Sequence, residues 1–324
     1  MRRLLAPATA LGLTLPLLLA VPPAAAGDDD HGRPATYELD GDPRDPAGSK
    51  FEGIGVDPRE RTFYVSETTG GEIHRGDVRT GETEVWLREG AADRFTARGI
   101  TTDDKGRIYI AGGPNGLDDE SRPDLWVYDA DGTLLAALKA PGAGAFLNDV
   151  AIGPDGAAYF TNSNAPQVFR VAREHGEWRV STWADATGTI ERRQGFNLGG
   201  IVVSPDRRAL VVAQGNAGIL WRFDLRTRAV SRIDTGNARL TDADGLVLDD
   251  DRLVVIRNSS RVLTTLRLDR HARSAELVSE TPTDPARVFT TGKEARGRLL
   301  LVDSKFDEQV AAPPYEVVAV PLPR

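Results

Sequence analysis

Cysteine is absent from the 324-residue chain. No disulfide can hold the fold, so it must rest on its own core or on a metal. A thiolate zinc site, a redox motif and a cysteine nucleophile are all excluded. Positive charge is in deficit, with 40 Lys and Arg against 48 Asp and Glu and a formal net charge of −8. That balance argues against nucleic acid or an anionic membrane as the main partner and is compatible with a cation ligand. Beyond the N-terminal segment no run is long and apolar enough to span a bilayer. No stretch carries a helical period of useful length, and no glycine-rich phosphate loop follows a strand and opens a helix, so nucleotide chemistry has no support.

The one long apolar run is N-terminal. Arg2 and Arg3 precede an apolar segment from Leu4 to Val21, followed by Ala24-Ala25-Ala26 and the polar Gly27-Asp28-Asp29-Asp30. The pattern reads as a secretory signal peptide over residues 1–26 and a flexible leader over 27–34. Cleavage would lower the net charge to about −10 and leave a secreted, extracellular chain with no membrane association. Without cysteine near the site, lipid anchoring is excluded.

What the remainder contains is a repeat. "FEGIGVDPRERTFYVSE" from Phe51 is echoed by "ARGITTDDKGRIYIAGG" from Ala97, "LNDVAIGPDGAAYFTNS" from Leu147 and "LGGIVVSPDRRALVVAQG" from Leu198. "ADGLVLDDDRLVVIRN" from Ala243 and "ARVFTTGKEARGRLLLVDS" from Ala286 complete the set. Each unit is a short strand, a polar turn and an apolar strand, usually followed by a third and a weaker fourth. The spacing of roughly 43 to 51 residues is that of propeller blades. The expectation is an all-β, six-bladed β-propeller over residues 35–324 with four-stranded blades. The last unit lacks one strand, and "ATYELD", residues 35–40, is expected to supply it, closing the ring and removing a sheet edge. Trp126, Phe169, Trp221 and Tyr315 are read as structural.

In a propeller the first strand of each blade lines the central channel, so its opening residues converge at one rim. Aligned on the hairpin turns, these are Glu52, Arg98, Asn148, Gly199, Asp244 and Arg287, with Asp149 after Asn148 and Asn197 just before Gly199. Oxygen donors converging on a point suit a hard cation such as calcium, and Glu52, Asn148 and Asp244 could supply three. The competing view is that polar channel residues bind water or pair with Arg98. The four histidines, His31, His74, His175 and His271, all fall away from this rim. His74, in a third strand, reads as an outward or inter-blade residue. A Ser-His-Asp triad and a multi-histidine metal centre are therefore disfavoured.

The pieces "FEGIGVD", "RGITTDDKGRIYIAGG", "FLNDVAIGPDGAAYFT", "FNLGGIVVSPD" and "DADGLVL", in this order and spacing, resemble the calcium-dependent propellers of the regucalcin/gluconolactonase (senescence marker protein) family, including its secreted bacterial branch. The resemblance implies Glu52 as a metal ligand, Asn148 beside metal and substrate, and Asp244 as metal ligand and general base. It points more loosely to Arg98 as a substrate contact. Where the family carries a ligating asparagine in the fourth blade, this chain has Gly199, and Asn197 is the candidate to reach in. Asn162 stands where related sequences favour aspartate. The expectation is thus a calcium-dependent hydrolase of a lactone, sugar acid or ester. Asn148 and Asp244 would be catalytic, Arg98, Asn148 and Asp149 would contact the substrate, and Glu52, Asn148, Asp244 and Asn197 would hold one Ca2+. A cation-bound carboxylate is a poor base, which leaves attack by metal-bound water as a second route. The alternative function is a non-catalytic extracellular ligand-binding or sensor propeller with a structural cation, its loops 113–123, 186–197 and 303–314 forming a contact surface.

Overall fold

The computed structural model describes residues 32–42, 44–113 and 122–323. The signal and leader assignments, apart from the last leader residues, lie outside the described residues, as does most of the 113–123 loop. Among the described residues no helix is long and apolar enough to cross a membrane.

Among the described residues twenty-four strands form six antiparallel four-stranded sheets. Five run outward from the channel in chain order, with inner strands Phe51–Val56, Ile100–Thr102, Leu147–Ile152, Leu198–Val203 and Ala243–Asp249. In blade 6 the inner strand is Phe289–Ala295, followed by Arg298–Asp303 and Tyr315–Pro321, and the outer place is taken by Thr36–Leu39. That N-terminal strand pairs Thr36 with Val318 and Leu39 with Tyr315, so the two ends of the chain close the ring as expected.

The apolar residues fall into six clusters, each filling the seam between two neighbouring blades. The seam between blades 3 and 4, for example, packs Tyr159 and Trp183 against Leu198, Leu210 and Phe223. Strand alternation explains this: each blade is buried on both faces, so its middle strands are largely apolar. Trp126, Phe169, Trp221 and Tyr315 are all buried in these seams. Each large side chain so buried contributes about 2–3 kcal/mol.

Around the channel a second rule operates. The residue after the rim position is glycine in four blades: Gly53, Gly99, Gly200 and Gly245. A Cβ on Gly53 would lie 2.2 Å from the Arg98 carbonyl oxygen, and one on Gly200 2.3 Å from the Asp244 carbonyl oxygen. Here glycine is required by the close approach of neighbouring inner strands, not by backbone dihedrals. Hydroxyl groups stitch the same contacts. Ser66 Oγ donates to the Arg98 carbonyl, Thr161 Oγ1 to the Gly199 carbonyl (2.7 Å), and Thr290 and Thr291 to the Glu52 carbonyl (2.9 and 2.6 Å).

Five inner strands carry a β-bulge at their start, between Phe51 and Ile54, Leu147 and Val150, Leu198 and Ile201, Ala243 and Leu246, and Phe289 and Gly292. A bulge leaves the intervening residues out of the ladder and re-aims their side chains. It explains how a strand can open with Asn148-Asp149, residues poorly suited to a regular ladder. It also corrects the register in blade 6. The bulge places Thr290, not Arg287, at the sixth rim position. The strand continues to Ala295 and turns on Arg296-Gly297 alone, so alignment on a longer turn had slipped by three residues. Arg287 instead pairs with Glu316 and Asp284.

Gly53→Ala is expected to destabilise the protein by about 2–3 kcal/mol, because the methyl group must displace a neighbouring backbone. A guanidinium unfolding midpoint unchanged from wild type would contradict the packing described.

Candidate functional site

Glu52, Asn148, Gly199 and Asp244, set at the bulges of blades 1, 3, 4 and 5, and Arg98, just before the inner strand of blade 2, line one cavity of about 580 Å³ at the channel mouth. Its floor is polar and its walls are aromatic: Phe146, Phe196 and Phe306. Phe196 comes from the loop leading into blade 4 and Phe306 from the loop following Asp303, so two of the three loops expected at this rim do border it. Phe196 packs on Phe146 with ring centroids 5.0 Å apart, although it remains 64% exposed.

Several floor atoms are buried without a hydrogen-bond partner. They are Glu52 Oε2, Asn148 Oδ1 and both terminal nitrogens of Arg98. An unsatisfied buried polar group costs about 1–3 kcal/mol, more when charged, so such a concentration is retained only where something else binds. The Arg98 guanidinium lies 3.5 Å from the centroid of the Phe146 ring, which fixes its plane while leaving its N–H groups turned to the cavity. Asp244 is oriented by Asn258, whose Nδ2 donates to Oδ2 at 2.8 Å. Its Oδ1 faces Gly199: a Cβ built there would lie 3.7 Å from Asp244 Oδ1 and 3.6 Å from Asn148 Oδ1. The glycine thus leaves an open space bordered by two oxygen donors.

Charge is unbalanced at this point. Burial holds Glu52 well above the usual carboxylate range, with the Asp244 charge adding to it and Arg98 opposing. Burial also pushes Asp244 up to about 7, against the hydrogen bond from Asn258 and with help from Asp149. Arg98 is drawn down to about 10 by burial, with Glu52 and Asp124 acting to raise it. Carboxylates that repel one another, next to an unpaired amide oxygen, make a donor set that suits a hard divalent cation.

The other two expected site residues are occupied elsewhere. Asp149 is buried, its Oδ1 accepting from the Val150 amide (2.8 Å) and its Oδ2 from the Ile201 amide (3.1 Å). It takes the place glycine holds in four other blades and ties blade 3 to blade 4. Asn197 borders the cavity, but its Oδ1 accepts from the Arg193 amide (2.7 Å) and Gln214 Nε2 (3.2 Å). Its Nδ2 donates to the Ser163, Arg193 and Gly195 carbonyls. Asn197 therefore shapes the loop that carries Phe196 and has no free oxygen to offer a cation.

Asn258, Phe146, Phe196 and Phe306 were not singled out from sequence. Asn258 could have been found, since it follows the strand that pairs with the Asp244 strand. The aromatics lie in loops with no periodic pattern. One further group escaped notice: His74 with Glu67 and Glu72, all buried and close together. A larger cavity of about 760 Å³ opens on the opposite face between blades 1 and 2, but Asp57 and Asp77, which line it, are engaged by turn amides.

The elevated Asp244 has a consequence for stability. The folded, metal-free state keeps a proton that the unfolded chain, with an ordinary value of 3.8, has already released. This contribution is fully present below that value and is lost as pH rises through about 7. The melting temperature of the chelator-treated protein should fall between about pH 4 and 7, and Asp244→Asn should reduce that slope. An identical slope in the variant would show that Asp244 does not titrate there.

No curated protein matches the chain. Solved structures share its fold at low identity. A gluconolactonase from Xanthomonas campestris superposes with a TM-score of 0.60 at 20% identity, covering 85% of this chain and 86% of that one. The Malassezia sympodialis allergen Mala s 1 gives 0.65 at 16% identity, over 88% and 96%. The calcium-binding protein regucalcin from Agrobacterium tumefaciens gives 0.58 at 17% identity, over 84% and 91%. Residues 51–289 match the family described as the SMP-30/Gluconolactonase/LRE-like region. That match spans five of the six rim positions and most of the propeller, and the chain belongs to this family.

Proposed function

We propose that the protein is an extracellular hydrolase of a lactone or related ester that depends on a divalent cation, calcium in the first instance. The observation that carries the reading is the convergence of unpartnered, buried polar atoms on one cavity: Glu52 Oε2, Asn148 Oδ1 and the Arg98 guanidinium, beside Asp244. Membership of the family supports the reaction class, and the cavity volume suits a small molecule.

Glu52, Asn148 and Asp244 would hold the cation, with water completing the shell where Gly199 provides no side chain. When bound, the ion supplies Lewis-acid polarisation of the substrate carbonyl. The chain's own groups do the rest. Asp244, held by Asn258, accepts a proton from the attacking water. The water oxygen bonds to the carbonyl carbon, the ring C–O bond breaks, and the proton passes to the departing alkoxide, giving a hydroxy acid. Arg98, held flat against Phe146, donates hydrogen bonds to substrate oxygens and to the carboxylate that forms. Phe146, Phe196 and Phe306 keep the reacting carbonyl shielded from bulk water.

Calcium titration calorimetry on wild type and Glu52→Gln tests the cation site. Wild type should bind and the variant should lose binding. Absence of any divalent binding by wild type would overturn the proposal in favour of a non-catalytic ligand-binding propeller. On a lactone panel, Asp244→Ala should lower turnover by about 10²–10⁴-fold with an unchanged circular dichroism spectrum. Turnover equal to wild type would remove Asp244 from the mechanism. Gly199→Asn adds an oxygen donor where a Cβ meets only ordinary contacts. It should tighten calcium binding, and unchanged or weaker binding would show that the space bordered by Asn148 and Asp244 is not part of the cation shell.

A further inference from the structure

Behind the wall of the rim cavity, blade 1 holds three ionisable side chains with no established task. Glu67 ends its second strand, Glu72 closes the following turn, and His74 lies in its third strand. His74 sits opposite Val65, so alternation along the strands brings Glu67, Glu72 and His74 to one face of the sheet. The spacing Glu-x4-Glu-x-His places all three within eight residues.

Their geometry is not that of an ordinary ion pair. Glu67 and His74 are fully buried and Glu72 nearly so. His74 Nε2 lies 3.8 Å from Glu67 Oε2 and 3.9 Å from Glu72 Oε2, too long for a hydrogen bond to either. Neither ring nitrogen of His74 has a partner, and Glu67 Oε2 has none. One ligand atom from each residue lies within 4.8 Å of the others. Donors about 2.1 Å from a tetrahedral ion stand about 3.4 Å apart, so the two distances from His74 to the carboxylates need close by only a few tenths of an ångström.

The surroundings resemble the support of a ligand set. Thr69 Oγ1 donates to Glu67 Oε1 at 2.8 Å, leaving Oε2 for a ligand. The His74 ring is held edge-on by Phe51, with centroids 5.2 Å apart. Access exists too, because Glu72 lines a surface cavity of about 330 Å³ with Asp42, Arg44 and Glu89.

We propose that Glu67, Glu72 and His74 form a second metal site, separate from the rim, that takes a zinc-type divalent ion. One imidazole and two carboxylates are a borderline donor set, which favours a first-row transition ion over calcium. A fourth position remains for water from the Glu72 cavity. The ion would pin the turn 68–72, whose Thr68 and Thr69 line the rim cavity, and would serve as a staple in a chain without disulfides.

The test uses the purified full-length propeller, stripped with chelator and titrated with Zn2+ in excess calcium. Wild type and Glu52→Gln should each bind one zinc and melt at a higher temperature with it. His74→Gln should bind at least ~10-fold more weakly and lose the shift. Because Glu52→Gln disables only the rim, failure of the hydrolase reading and failure of this site give different results. Zinc-edge anomalous diffraction from wild-type crystals guards against a variant that does not fold: a peak between Glu67, Glu72 and His74 supports the site. Zinc found only at the rim, or no uptake by wild type, overturns it.

Discussion

Six inner strands must approach one axis closely enough to touch, and nearly everything else in this molecule follows from that crowding. Where neighbouring strands meet there is no room for a Cβ, so Gly53, Gly99, Gly200 and Gly245 recur immediately after the rim position. Where the ladder is broken by a bulge, hydroxyls such as Ser66 and Thr161 satisfy the freed backbone groups. In blade 3 an aspartate stands in place of the glycine, and its carboxylate works for the backbone of two blades at once. The apolar seams supply most of the stabilisation, but this polar seam sets the spacing of the blades.

The same crowding builds the site. In blades 1, 3, 4 and 5 a bulge frees the rim position from the ladder and turns it to the channel mouth, where Arg98 of blade 2 joins it, so residues separated by up to about 190 positions share a cavity. Such positions are free of the demands of strand pairing and can carry chemistry.

Two groups of carboxylates behave in opposite ways. On the face away from the cavity, Asp77, Asp224 and Asp269 accept hydrogen bonds from turn amides, and each is shifted below the ordinary range. Their role is to close turns. On the cavity face, Glu52, Asp244 and Glu72 are shifted upward, chiefly by burial, and Glu52 Oε2 has no partner. An ionisable group kept where its charged form is costly marks a place organised around something other than the fold. That both the rim and the blade 1 cluster lie on this face connects them: the turn 68–72 borders one and closes the other.

The sequence by itself determined the architecture. A period of two within strands and a regular spacing between hairpins leave few ways to bury so many apolar strands, and the closing strand at residues 36–39 was legible because the last repeat is short. It also identified Glu52, Arg98, Asn148, Gly199 and Asp244 as neighbours, since rim positions repeat with the blades. Tertiary structure alone decided which of the polar residues are free. Asn197 and Asp149 look like donors in the sequence, yet backbone amides, and for Asn197 also the Gln214 side chain, engage their oxygens. Arg287 looked like a rim residue until the bulge fixed the register of blade 6. His74 looked like a residue between blades, and only the fold of the turn set two glutamates beside it. Periodicity reports where a side chain points, whereas hydrogen-bond satisfaction depends on atoms brought from distant parts of the chain.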